Sequence, residues 1–270
     1  MLKNNVRVAP KTDYWQEVWS FRELLYIFSW RDIKVRYKQT LVGVSWSVLK
    51  PLITTLIFTL VFSRITRFPN PSQAPYILMV FAGMLPWQFF ASTLNDISMS
   101  VVGNAGLIGK VYFPRIIIPL AVMLTNFVDF LISIAIMIGM MAWLHFLPGW
   151  HVVFFPLFIL MLIGCLLGAG LYLSVLNVRY RDFKFIIPFV IQVGLFITPV
   201  AFSSSNIASQ WRLAYALNPL VGIIGGIRWC LLGDPLYWPE VWISCSVIVL
   251  LLWIGVRYFS KMEKTFADDI

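Results

Sequence analysis

Apolar residues fill this chain in long blocks, and polar residues are confined to the gaps between them. A helix needs about 20 mostly apolar residues to cross the hydrocarbon core of a bilayer. Six blocks approach or exceed that length, at about 42–63, 78–102, 116–141, 152–176, 184–201 and 238–258. Between the fifth and the sixth lies 202–232, which is semi-polar and rich in Gly and Pro. It holds two shorter apolar pieces, around 208–217 and 219–232. Each is too short to cross, which predicts re-entrant or interfacial helices.

The chain begins differently. Residues 1–12 read as a flexible tail. Ser20-Phe21-Arg22-Glu23 has the S-x-x-E spacing of a capping box, in which the two side chains satisfy free N–H groups at a helix start. Phe21, Leu24, Leu25 and Phe28 follow on one helical face, and Arg31, Lys34, Arg36 and Lys38 come next, with Tyr37 among them. An apolar face ending in a basic stretch predicts a helix in the membrane interface. A solvated helix packed on a partner is the other reading. The expected architecture is all-α: a polytopic membrane protein with six transmembrane helices. An N-terminal amphipathic interfacial helix precedes them, and short re-entrant outer helices precede the last span. By domain, 1–40 is a cytoplasmic tail and helix, 41–260 the transmembrane part and 261–270 a cytoplasmic tail.

Composition agrees. The 270 residues are 60% hydrophobic and 12% charged, against about 25% charged in soluble domains. The net charge of +9 would suggest nucleic acid in a soluble protein. Here Lys and Arg cluster between the apolar blocks, so they report topology, and no nucleic-acid partner is expected. With six spans, sixteen fall on one side: eight in 1–40, Lys110 and Arg115, Arg179, Arg181 and Lys184, and Arg257, Lys261 and Lys264. Four fall on the other, namely Arg64, Arg67, Arg212 and Arg228. The asymmetry predicts that both termini are cytoplasmic. The 142–151 connection is then external, and its His145 and His151 read as solvated rather than as metal ligands. No cleavable signal peptide is visible, so the first span serves as its own insertion signal. Cys165, Cys230 and Cys245 show no metal or CxxC spacing, and an odd count argues against a disulfide framework.

The chain contains no GxxxxGK[ST] phosphate loop, no GxGxxG, no HExxH and no Cys/His cluster. No nucleophile is paired with a base, so no catalytic residue, metal ligand or cofactor is assigned to it. Ionisable residues inside spans are costly and are functional candidates by default. They are Lys50, Asp96 and Asp129, the last with Asn126 one turn earlier. Depth counting puts Lys50 and Asp96 near each other in the inner half, most simply as a neutralising pair, and Asp129 mid-span. Two isolated aspartates weigh against an ion-coupled carrier. Their different helices and depths weigh against a membrane-embedded glycosyltransferase. Trp46, Trp87 and Phe90 are among the aromatics inside spans. Such rings stack on sugar faces in a polymer path, or simply pack and face lipid. The basic cluster attracts anionic headgroups in general, or one phosphate-bearing lipid in particular.

Four segments carry a resemblance. They are Arg31 to Trp46 followed by Leu49-Lys50-Pro51; Leu107-Ile108-Gly109-Lys110-Val111-Tyr112-Phe113-Pro114-Arg115; Asn177-Val178-Arg179-Tyr180-Arg181-Asp182; and Ile197-Thr198-Pro199-Val200 with Asn218-Pro219-Leu220. In this order they resemble the membrane subunits of type-2 ABC exporters of lipid-linked polysaccharides, closest to those that carry O-antigen. The resemblance implies that Leu107, Lys110, Val111, Tyr112, Phe113, Pro114 and Arg115 couple to an ATPase subunit. Arg179, Tyr180, Arg181 and Asp182 would form a second contact. Arg31, Lys34, Arg36 and Tyr37 would meet the lipid pyrophosphate, and Pro199, Trp211, Tyr215, Asn218 and Pro219 would form an outer gate. It further implies a second copy of the chain, two ATPase subunits that bind ATP and Mg, and surrounding lipid of a bacterial inner membrane. The cargo would be an undecaprenyl-pyrophosphate-linked polysaccharide: O-antigen first, capsule or teichoic acid as the alternatives.

Overall fold

The computed structural model describes residues 14–38, 41–65, 74–263 and 266, with the side chains of 41–44 and 63–65 left out. The expected tail at 1–12, Arg67 and most of the 261–270 tail lie outside the described residues. The described residues form helices α1 (Tyr14–Ser20), α2 (Arg22–Lys38), α3 (Leu41–Ile65), α4 (Tyr76–Gly103), α5 (Ala105–Ile108) and α6 (Ile117–Trp143). After these come α7 (Phe155–Arg179), α8 (Phe183–Ile197), α9 (Ser209–Tyr215), α10 (Pro219–Leu232) and α11 (Trp238–Met262). Among the described residues, five helical segments are long and apolar enough to cross a membrane, those of α3, α4, α6, α7 and α11. The bent pair α9–α10 would make up to six.

The fifth block is shorter than its hydropathy suggests. α8 has 15 residues, about 22 Å at 1.5 Å per residue, against a core of about 30 Å. Pro199 has no N–H to continue a helix and disfavours helix at Thr198 before it. The chain therefore runs on through Thr198–Phe202 without helix. It then turns into α9 and α10, which meet at 106°. Asn218 starts α10 by accepting from the Leu220 N–H at 3.1 Å, with Pro219 at the first helical position, where its missing N–H costs nothing. Gly233 ends α10 in the left-handed region at φ 74°, which glycine adopts freely.

α4 is the central helix. Leu78, Val80, Phe81, Ala82 and Ile97 are fully enclosed, in a core shared with α6, α7, α10 and α11. α7 and α11 approach most closely where two glycines face each other. A Cβ on Gly255 would lie 2.1 Å from the Gly168 carbonyl oxygen, and one on Gly168 would lie 2.6 Å from the Leu251 carbonyl carbon. Small residues permit such backbone contact where no hydrophobic force drives helices together in lipid. α3 and α8 are peripheral, and they expose Leu49, Ile53, Leu56, Leu60, Phe185, Phe189, Val193 and Phe196.

A second apolar cluster gathers one end of the bundle. It joins Val101, Phe113, Ile117, Val175, Phe259 and Phe266, and Val18, Phe21, Leu24, Leu25 and Phe28 pack against it. The apolar face read from α2 is thus a docking face onto protein. Its other side exposes Tyr26, Ile27, Trp30 and Val35. The capping box does not form. The Ser20 hydroxyl donates back to the Glu17 carbonyl at 2.7 Å, ending α1 at a single-residue turn before α2. With α1 and α2 in near-continuity, no free helix start is left to cap. At the far end, Trp229 gathers His151, Phe154, Trp238 and Trp150 with ring centroids 4.7 to 6.5 Å away. His151, expected in solvent, is half-buried, its ring tilted against Trp150 and Trp229 at 4.4 and 4.7 Å.

Candidate functional site

α2 climbs along α6. Phe28 meets Phe113 at 5.9 Å, and two turns later Arg36 reaches Asn126 and Asp129, well inside α6. The Arg36 guanidinium donates to Asn126 Oδ1 at 2.8 Å and Asp129 Oδ2 at 2.5 Å, and lies 3.7 Å from Asp96 Oδ2. The Tyr37 hydroxyl donates to Asp129 Oδ1, and the Ser47 hydroxyl to the same oxygen at 3.0 Å. Asn126 Nδ2 donates to Asp96 Oδ2 at 3.0 Å. The two aspartates, on different helices and at different depths by count, thus converge on one arginine. Burial, and then the bond to Asp129, push the Tyr37 phenol up to about 12, so it remains a donor at any physiological pH.

This network forms one wall of a cavity of about 490 Å³ between α2, α3, α4 and α6. Lys50, Trp46, Gln88, Phe89, Asn95, Phe130 and Ser133 line the remainder. Lys50 and Asp96 share this cavity, but Asp96 pairs with Arg36. Among the described residues no carboxylate lies within ion-pair distance of the Lys50 ammonium. Depth counting could not foresee this, because it placed Arg36 outside the spans. Of the three aromatics singled out, Trp46 lines the cavity. Trp87 is enclosed against Phe90 at 6.0 Å, over Gly194 of α8.

The four residues assigned to the lipid pyrophosphate divide between two faces. Arg36 and Tyr37 point into the bundle. Arg31 and Lys34 lie on the other face, in a groove with Tyr26, Ile27, Trp30, Val35 and Lys38. There Lys34 stands 5.2 Å over Trp30 and Arg31 pairs with Asp32 at 2.9 Å.

The loop between α4 and α6 also has two sides. Phe113 and Pro114 are buried and Leu107 packs on the second cluster. Lys110, Val111 and Tyr112 are exposed. The Tyr112 hydroxyl donates to Glu17 at 2.9 Å. The Arg115 guanidinium donates to the Glu263 carbonyl oxygen, and the Arg115 N–H to the Glu263 carboxylate at 2.9 Å. Tyr14 donates to the other carboxylate oxygen at 2.6 Å. Burial and this bond raise the Tyr14 phenol well above its ordinary value. Arg179, Tyr180, Arg181 and Asp182 form the neighbouring exposed turn between α7 and α8.

The far end contains a second polar set, of which sequence reading singled out Tyr215 and Asn218 for an outer gate but missed Tyr76, Glu240 and the bonding role of Arg228. The non-helical stretch after α8 has carbonyls with no helical partner, and unpaired carbonyls are not tolerated at membrane depth. Side chains satisfy them. Tyr215 donates to Ile197 O at 2.5 Å, Tyr76 to Ala201 O at 2.8 Å, and Arg228 to Val200 O at 2.6 Å and Phe202 O at 2.8 Å. Arg228 also donates to Met79 O of α4 at 3.2 Å. Asn218 donates to the Thr198 hydroxyl at 3.0 Å, and Pro199 lies in the tied segment. Glu240, also buried, pairs with Arg212 at 3.0 Å and accepts from Ser204 at 2.9 Å. Trp211 is exposed and joins none of these bonds. A basic residue in an apolar run followed by Gly and Asp was the available signal for Arg228.

A helical bundle with long apolar spans, a broken helix pair at one end and a cavity with charged residues between helices defines a multi-pass membrane protein of the transporter class. The chain belongs to the ABC-2 type transporter family, whose model matches residues 23–232. It is similar to the O-antigen export system permease protein RfbA of Myxococcus xanthus, 29% identical over 259 residues, covering 94% of this chain and 98% of that one. It is also similar to RfbA of Klebsiella pneumoniae, 28% identical over 247 residues, covering 91% and 94%. The polysialic acid transport protein KpsM of Escherichia coli is 23% identical over 201 residues, covering 72% and 75%.

Proposed function

We propose that this chain is the non-catalytic membrane subunit of an ATP-driven exporter of lipid-linked polysaccharide, with O-antigen as the cargo. The observation that carries the reading is end-to-end similarity to O-antigen export permeases, which leaves little of either chain unmatched. A capsule polymer is the second reading, favoured by the likeness to the polysialic acid transporter. The polymer would pass between two copies of the chain across a bacterial inner membrane. Both termini and the basic end of the bundle would then be cytoplasmic. ATP and Mg would be held by a separate ATPase, docked on the exposed Lys110, Val111 and Tyr112 and on the turn Arg179–Asp182. The buried Phe113 and Pro114 and the half-buried Leu107, with the tethered Arg115, would make that loop rigid enough to pass on a push. The outer groove of α2, with Arg31, Lys34 and Lys38 beside Trp30 and Tyr26, suits a phosphate head carrying an apolar tail. Arg36 and Tyr37 would hold α2 in position. Pro199, Asn218, Pro219 and Tyr215 would set the closed form of the far end, with Trp211 at its rim.

The test is deletion of the gene. Surface polymer should vanish while lipid-linked polymer accumulates at the inner membrane, and Tyr112→Ala should fail to restore export. If the polymer is never made, the chain acts in synthesis and the export reading is wrong.

A further inference from the structure

We infer that the cavity between α2, α3, α4 and α6 is a binding subsite for an uncharged sugar residue of the cargo, read through the Gln88 side-chain amide. This rests on the export reading. The first argument is charge. Arg36 and Lys50 face Asp96 and Asp129 across one space, so the formal charges of the four cancel. A pyrophosphate would find no excess of cations there, and both carboxylates would repel it. A neutral polyol has no such conflict.

The second argument is hydrogen-bond demand. Most polar groups of the lining are already used: Ser92 and Ser133 donate to backbone carbonyls, and Asn126 donates to Asp96. Gln88 Nε2 is enclosed and has no partner among the described residues. An unpaired buried amide is costly unless something fills its place. A turn of the Gln88 side chain would present this amide to the cavity, where a ligand acceptor would complete it, and the ligand can offer donors to Asp96. A sugar hydroxyl does both. The third argument is shape and surface. A volume of about 490 Å³ lies within the range of roughly 300–1,000 Å³ for small-ligand sites. Trp46, Phe89 and Phe130 on the same walls supply aromatic faces for the C–H face of a pyranose. An apolar wall with a few convergent polar groups is the general form of such sites.

The experiment uses the full-length chain with its ATPase partner in nanodiscs. The probe is the glycan released by mild acid from lipid-linked polymer of the deletion strain, with inorganic pyrophosphate as competitor. Saturation-transfer NMR should give sugar-proton signals with the parent protein. Gln88→Leu and Gln88→Glu should each weaken binding about five- to tenfold, the worth of one lost hydrogen bond. Glu keeps the side-chain volume but adds charge, and Leu removes the amide without adding charge, so a loss common to both at an unchanged thermal midpoint reports the lost amide and not a folding defect. Pyrophosphate should not displace the glycan. Unchanged binding in both variants, absence of glycan binding to the parent, or displacement by pyrophosphate overturns the subsite. Export is read separately, from surface polymer. If polymer export depends on the gene but the subsite fails, the export reading stands. If surface polymer persists without the gene, both fall.

Discussion

Arg228 sits in the middle of an apolar helix and is only 4% exposed, yet it donates to three carbonyl oxygens on two parts of the chain. A guanidinium suits this because its planar fork reaches several acceptors at once. Removing it takes the guanidinium donor from the buried Val200 carbonyl and unties this segment from α4. Arg228→Met is expected to destabilise the protein by about 3 kcal/mol, seen as a lowered thermal midpoint in detergent. Arg228→Lys should recover little, since one ammonium cannot fork. Next to it, Gly83 leaves room for the guanidinium, since a Cβ there would lie 2.6 Å from Arg228 Nη2. Residue identity alone marked Arg228 as a far-side charge for topology. Its role is set by a carbonyl run that exists only because Pro199 stops α8, and no count of charges reveals that.

At the scale of elements, α2 is held by Asp129. Arg36, Tyr37 and Ser47 all bond to this one carboxylate. Asp129→Ala should loosen α2 from α6, with tryptic cleavage at Arg31, Lys34 and Lys38 rising about tenfold, as expected for loss of a charge-assisted contact. Limited proteolysis in nanodiscs measures it. Unchanged cleavage would mean that Phe21, Leu24, Leu25 and Phe28 hold the helix unaided. The long helices were legible as elements, because hydropathy over 20 residues is a strong signal. The boundaries of α3, α4 and α6 fall within two residues of the apolar blocks. The length of α8 was not legible, because Thr198–Ala201 is as apolar as a helix end while Pro199 forbids one. Two short helices were foreseen from the apolar pieces around 208–217 and 219–232, but the 106° between α9 and α10 was not. The cavity was half legible. Lys50, Asp96 and Asp129 were conspicuous as charges in apolar blocks, but Gln88 and Arg36 drew no notice as its walls.

Across the whole molecule, Glu263 ties the two ends of the chain to the central loop. Its carboxylate accepts from Tyr14 and from the Arg115 N–H, and its carbonyl from the Arg115 side chain. Glu263→Ala should leave the bundle inserted, since the apolar cluster around Phe259 and Phe266 remains. It should still cut export about tenfold, the scale of one lost charged hydrogen bond, because the loop can then yield when pushed. Surface polymer measured at equal protein levels tests this. The Tyr14 contact also has a definite pH window. Its phenol is raised in the folded state, so its stabilisation is complete below the ordinary tyrosine value of about 10 and is lost only as the pH rises above that. Export should therefore show no step between pH 6 and 9 from this group.

Arg228 has one further consequence, which concerns cooperativity. Because one side chain clasps Met79, Val200 and Phe202 together, α4 and the Thr198–Phe202 segment cannot part bond by bond. Either the fork is engaged and α4 is tied to the Thr198–Phe202 segment, or it withdraws and that tie is lost. Movement there behaves as a threshold event with two populations and few intermediates, and single-molecule distance recordings across Thr198–Phe202 would show jumps rather than drift.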